Sequence, residues 1–181
     1  MKTIGAGLLA VAVLVLGAPA ASAQEVGQKA FELYAGYYVP GIDDLDNNIS
    51  YGLRFGMRPA DQLGWSLQAG YLDLSQNDDR PGAGRIGSAD GYFVDASVIW
   101  YVAGSDFGVF GGIGFGTVDV DIVGTTTDVS DDAFTYNYGV HYVWNAGDGT
   151  VIKPEVRFRK WDGDTYEKTD EEYSISFGWR F

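Results

Sequence analysis

Residues Tyr173 to Phe181 read YSISFGWRF, and their alternation decides the fold. Tyr173, Ile175, Phe177, Trp179 and Phe181 fall on one face of a strand, with Ser174, Ser176, Gly178 and Arg180 on the other, because successive strand side chains point to opposite faces. Bulky apolar groups line one face and small or polar groups the other. Such a strand belongs in a sheet that separates an apolar environment from a polar one.

Seven further stretches carry the same period. Phe31 to Val39 sets Phe31, Leu33, Ala35, Tyr37 and Val39 against Glu32, Tyr34, Gly36 and Tyr38. Ile49 to Arg58 sets Ile49, Tyr51, Leu53, Phe55 and Met57 against Ser50, Gly52, Arg54, Gly56 and Arg58. Trp65 to Tyr71 and Tyr92 to Val102 follow, the latter with Phe93 and Ile99 as apolar exceptions among Asp95, Ser97 and Tyr101. Phe107 to Val118 is rich in inward glycine, Phe134 to Trp144 carries His141, and Ile152 to Arg159 alternates with Lys153, Glu155, Arg157 and Arg159. No stripe of helical period competes. Pro154 falls mid-strand and cannot donate to a ladder, so a local bulge or a missing bond is expected there.

Side-chain size tells inside from outside. The polar face holds Gly36, Gly52, Gly56, Gly70, Gly108, Gly112, Gly114, Gly116, Gly139 and Gly178, which leave room for large polar neighbours in the narrow interior that eight strands enclose. The fold predicted is all-β, an eight-stranded antiparallel up-and-down transmembrane β-barrel, polar within and apolar without. Connectors alternate in length: Pro59 to Leu63, Ala103 to Asp106 and Asn145 to Thr150 are short, whereas Pro40 to Asn48, Ser75 to Asp90, Asp119 to Asp132 and Asp162 to Asp170 are long. Short turns belong at the periplasmic rim and long loops outside the cell, which puts both termini in the periplasm.

Residues 1–23 read as a cleaved signal peptide, with Lys2 in the basic region, Leu8 to Leu16 as apolar core and Ala21-Ser22-Ala23 as cleavage site, so that 24–181 forms the barrel domain. The apolar core is too short for a spanning helix. With no cysteine and 26 glycines, stability must come from something other than disulfides, and sheet closure supplies it. The formal charge of −13 repels a phosphate backbone and argues against a nucleic-acid partner.

The stretches AFELYAGYYVP (30–40), VFGGIGFG (109–116) and SISFGWRF (174–181), following an export signal, resemble the small bacterial outer-membrane β-barrel family that includes the membrane domain of outer-membrane protein A. That resemblance implies a bacterial outer-membrane location, contact with outer-membrane lipid and lipopolysaccharide, and action as a monomer. It also implies that Phe177, Trp179 and Phe181 form the terminal signal read by the barrel-assembly machinery. Since the sequence stops at Phe181, the peptidoglycan-binding domain of longer relatives is not expected. One such scaffold hosts several functions, so activity must be argued from the site.

The candidate site is a lumenal ion-pair network of Glu32, Arg54, Arg58, Asp95, Glu155, Arg157, Arg159 and Arg180, joined by Lys153. Glu32, as the only acid read inward on the first, second and last strands, is expected to bridge Arg58, Arg180 or both. An excess of three positive charges follows from these residues. A paired polar plug is the preferred reading, because buried charges must be compensated; a narrow channel with an anion-selective constriction is the alternative. A lipid-modifying enzyme is the third reading. The single His141 would be its catalytic residue, but VHYVW (140–144) offers no neighbouring serine, so no catalytic residue is assigned. The glycine run lacks the strand-to-helix setting of a dinucleotide fingerprint, and no cofactor is expected.

The connectors hold Asp43, Asp44, Asp46, Asp78, Asp79, Asp90, Asp119, Asp121, Asp128, Asp131, Asp132, Asp162, Asp164, Glu167 and Asp170 against only Arg80, Arg85 and Lys168. Asp119 with Asp121, or Asp162 with Asp164, could offer oxygens to a divalent cation, but no spacing completes a calcium loop, and no metal site is assigned. A solvated acidic rim is expected.

Overall fold

A computed structural model describes residues 26–41, 45–75, 86–103, 105–122, 128–163 and 167–181. The expected signal peptide, and Asp43, Asp44, Asp78, Asp79, Arg80, Arg85 and Asp164 of the connectors, lie outside those residues. The strands are β1 (Lys29–Val39), β2 (Asn48–Ala60), β3 (Leu63–Ser75), β4 (Ile86–Tyr101), β5 (Phe107–Ile122), β6 (Asp128–Tyr142), β7 (Trp144–Gly147), β8 (Thr150–Asp162) and β9 (Thr169–Arg180). β6 and β7 form one stave interrupted at Val143, so the barrel has eight staves. All pairings are antiparallel between neighbours, and β1 pairs with β9 to close the cylinder. Closure leaves no row of unpaired backbone groups facing an apolar phase.

The faces lie as the dyad pattern requires. Leu53, Leu67, Val94, Val98, Ile113 and Phe177 are exposed on the exterior, while Arg54, Gln68, Asp95, Thr135, Arg157 and Ser176 are buried inside. An exterior this apolar around a charged interior is the arrangement of a barrel immersed in hydrocarbon. Trp65, Trp100, Trp144 and Trp179 face outward near the rim of short turns, and Tyr37, Tyr51, Tyr71, Tyr92 and Tyr173 near the opposite rim. Eight residues separate Tyr92 from Trp100, about 27 Å along a strand, enough for an inclined strand to cross an apolar band flanked by aromatic girdles. Tyr71 touches both Tyr51 and Tyr92, with ring centroids 5.2 and 5.0 Å apart.

The two-residue Asp148-Gly149 loop between Gly147 and Thr150 has φ of 48° and 75°. Two consecutive positive φ values match the twist of the flanking strands, and glycine takes the second without strain. At the β2–β3 turn Arg58 donates from Nε to the Asp61 carbonyl at 3.0 Å, tying the turn to the barrel floor.

One expectation needs correction, and the one for Pro154 is met in its second form, a missing bond. The strands run further than the alternation suggested, so Asp90, Asp119, Asp121, Asp128, Asp131, Asp132, Asp162 and Asp170 lie within strands rather than in loops. Beyond the apolar band both faces meet water, so the ladder continues where hydropathy no longer alternates. Pro154 causes no bulge: it stays in register with Ile175 on β9. On its other side pairing lapses between His141–Glu155 and Trp144–Ile152, where the missing N–H would have served the ladder.

Most interior glycines stand where a side chain would collide. A Cβ on Gly114 would run into Asp95 Oδ1 and lie 2.6 Å from Thr135 Oγ1, whereas one on the outward Gly111 meets only a carbonyl at 3.9 Å. We expect Gly114→Ala to destabilise the barrel by about 1–3 kcal/mol and Gly111→Ala to be near neutral, as measured by urea unfolding in lipid vesicles. Val98→Arg on the exterior should cost about 2–4 kcal/mol if it faces the middle of the bilayer. A near-zero effect in the same assay would mean that this face does not contact lipid.

Candidate functional site

β8 directs Lys153, Glu155, Arg157 and Arg159 inward at two-residue intervals, forming a column of charge on one wall. The neighbouring β9 supplies Glu172, and the walls across the lumen supply Glu32 from β1, Arg54 from β2 and Asp95 from β4. Together these residues form a continuous chain of alternating sign. Starting nearest the long-loop rim, Glu172 meets Arg159 at 3.5 Å, and Arg159 meets Asp95 at 2.7 Å. Asp95 then meets Arg157 at 3.3 Å, which reaches Glu155 at 2.9 Å. Glu155 holds Arg54 at 2.8 Å, Arg54 reaches Glu32 at 3.3 Å, and Glu32 ends the chain on Lys153 at 2.7 Å.

Neutral groups donate further hydrogen bonds to the carboxylates. Thr135 donates to Asp95 at 2.9 Å, Ser50 to Glu172 at 2.6 Å and Ser176 to Glu32 at 2.8 Å. Arg54 also donates to the Gln68 side-chain oxygen at 3.0 and 2.8 Å. The guanidinium carbons of four arginines lie over aromatic rings: Arg159 over Phe93 at 3.6 Å, Arg58 over Tyr101 at 4.0 Å, Arg157 over Phe110 at 4.7 Å and Arg54 over Tyr34 at 5.4 Å. A ring face attracts a cation and fills space as well. Phe93, an exception to the alternation, is thus the platform for Arg159.

Apolar clusters lie at both ends of the chain. Tyr34, Tyr38, Leu45, Leu72, Phe93, Val118, Ala133 and Trp161 pack together toward the long-loop rim. Ile99, Tyr101, Phe110, Val143 and Val151 pack toward the short-turn rim. Asp170 accepts hydrogen bonds from the Tyr38 hydroxyl and, at 2.7 Å, from the Gly41 amide. The start of the β1–β2 connector is thereby tied to β9, and Leu45 follows it into the cluster.

His141 is buried between Phe110 and Tyr101, with ring centroids 5.8 and 5.7 Å away. Its Nδ1 lies 3.6 Å from Glu155. Among the described residues no hydroxyl or thiol hydrogen-bonds to its Nε2, and no group of His, Cys, Asp and Glu side chains is arranged to hold a metal ion.

Residues 8–181 match the family described as "Outer membrane protein beta-barrel domain". The chain belongs to this family of outer-membrane barrels. Solved structures of the same fold include Ail, the attachment invasion locus protein of Yersinia pestis, with a TM-score of 0.55 and 16% identity over 87% of this chain and all of that one. A major outer membrane protein from Thermus thermophilus aligns with a TM-score of 0.65 and 10% identity, over 87% of this chain and 100% of the other. The N-terminal barrel domain of Pseudomonas aeruginosa OprF gives 0.54 and 14%, with the same coverage. At these identities they share the fold alone. No curated protein matches the sequence.

In this outer-membrane barrel the residues expected to form the network are not all joined as expected. Glu32 contacts Arg54 and Lys153, not Arg58 or Arg180. Arg58 pairs instead with Asp106 at 3.6 Å. No hydrogen bond among the described residues engages Arg180 Nε or Nη2. The expected cationic excess also disappears. Among the described residues six buried carboxylates, namely Glu32, Asp95, Asp106, Glu155, Asp170 and Glu172, face Arg54, Arg58, Lys153, Arg157, Arg159 and the half-buried Arg180.

Glu172, Asp170 and Asp106 escaped the sequence reading, and Glu32 is therefore not alone as an inward acid on β1, β2 and β9. Glu172 and Asp170 share the parity of Ser174 and Ser176, so extending the terminal strand backward would have found them. Asp106 sits in a turn and carries no periodic signal. Removing one member of a buried pair strands the other, so Glu155→Gln should cost about 3–5 kcal/mol. In double-mutant cycles by urea unfolding, Glu155→Gln and Arg157→Met should be strongly non-additive. Glu32→Gln and Arg58→Met should add within about 0.5 kcal/mol.

Proposed function

We propose that this protein is an integral outer-membrane barrel with a filled lumen, acting in envelope structure or surface interaction and not as an enzyme. The observation that carries the reading is the unbroken chain of ion pairs from Glu172 to Lys153, capped by an apolar cluster at each end. Passage of an ion would separate paired charges in a site where each isolated ion costs several kcal/mol to desolvate. The interior of eight staves is narrow enough for side chains to fill. His141, packed between aromatic rings away from the lipid-facing surface, supports a structural role for that residue.

The termini belong in the periplasm on this reading. Lys29 and Phe181 exchange backbone hydrogen bonds of 3.2 and 3.1 Å at the rim of short turns, the rim that faces the periplasm in bacterial barrels. The opposite rim then faces outside, where Asp73, Asp119, Asp132, Asp162 and Glu167 are exposed and make an acidic surface. Phe177, Trp179 and Phe181 are exposed on the exterior, accessible to an assembly machinery during insertion and to lipid afterward. Lipid and lipopolysaccharide surround a barrel that works as a monomer. Ail is the attachment invasion locus protein of Yersinia pestis, a name in keeping with surface interaction on this fold.

Planar-bilayer recording of the purified protein tests the filled lumen. Steady channel openings should be absent from the wild type. A reproducible single-channel conductance would replace this reading with that of a narrow channel.

A further inference from the structure

Below Glu32 and Lys153, near the short-turn rim, the barrel holds a partly open cavity of about 20 Å³ lined by Lys153, Arg180, Glu32, Ser66, Tyr101 and Val143. Arg180 lines it, and its Nε and Nη2 are buried without a hydrogen-bond partner among the described residues. The acids that attract Arg180 are already engaged: Asp106 pairs with Arg58 at 3.6 Å, and Glu32 is held by Lys153 at 2.7 Å and Arg54 at 3.3 Å. The eight-membered chain is neutral, and so is the Arg58–Asp106 pair. Asp170, the remaining buried acid, is ten residues away on the same strand, about 33 Å, too far to offset Arg180. One half-buried positive charge is therefore left beside a polar cavity, with two of its donor nitrogens shielded from water and unpaired among the described residues.

We propose that this cavity binds one monovalent, monoatomic anion, a halide, between the Arg180 guanidinium and the Lys153 ammonium. Charge selects an anion, since two cations and one shared carboxylate line the space. Size favours a halide: a volume of about 20 Å³ suits an ion little larger than a water molecule. The site would act as a structural counter-charge closing the electrostatics of the barrel floor.

The test uses the full chain in detergent, with chloride exchanged for gluconate at constant ionic strength, and crystals grown in bromide. Chloride should raise the thermal midpoint in a saturable manner, as expected for a ligand of the folded state, and bromide should give an anomalous peak beside Arg180. Arg180→Gln should abolish both responses. Gly56→Val, which places a side chain at the cavity wall and keeps Arg180, should abolish them as well, so a folding failure of one variant leaves the other informative. A water in place of the bromide peak, or an equal chloride response in wild type and either variant, would overturn the proposal.

Discussion

A charge inside an eight-stranded barrel cannot be hydrated as it would be in bulk water, and the rest of this structure depends on that constraint. Glu155 is where it is most visible. Its Oε1 takes Arg54 at 2.8 Å and Arg157 at 2.9 Å, while Oε2 faces His141 at 3.6 Å. One carboxylate thus joins β2 and β8 across the lumen, and every neighbouring charge must find a partner of opposite sign in turn. An alternating chain is the arrangement that satisfies all of them at once, because each interior member is shared by two partners.

Space is the second half of the same problem. The aromatic platforms under the arginines fit because the wall beside them is cut back to glycine. Gly139 leaves room for Phe110 and the Arg157 backbone, and Gly70 for Tyr34 and Phe93. Aromatic side chains then fill what the guanidinium planes leave and offer them a favourable face. Polar chemistry and dense packing, which compete in most cores, are met here by the same residues.

The two rims differ for reasons that bear on role. At the short-turn rim the Asp148-Gly149 loop, the Arg58 clasp on Asp61 and the tryptophan girdle make a compact base. Acidic residues gather at the other rim, where strands extend beyond the aromatic girdle. An anionic surface of this kind repels anionic partners. On the proposed reading the fold is a support, and function specific to this chain resides at its ends.

Period-two alternation in YSISFGWRF and its counterparts determined by itself that the chain is a barrel with an apolar exterior, since side-chain direction on a strand depends only on parity. Parity also assigned Glu32, Arg54, Asp95, Glu155, Arg157 and Arg159 to the interior. It could not say who pairs with whom. Glu32 and Arg58 share the interior and neighbouring strands, yet Glu32 turns to Arg54 and Lys153, because reach across a closed lumen depends on stagger and side-chain length as well as strand order. Strand ends were hidden for a related reason: outside the apolar band both faces are wet, so Asp170 and Glu172 look like loop residues until the ladder is seen. Only the tertiary structure, by bringing β8 face to face with β1, β2 and β4, decided that scattered charges form one neutral chain and that Arg180 stands apart from it.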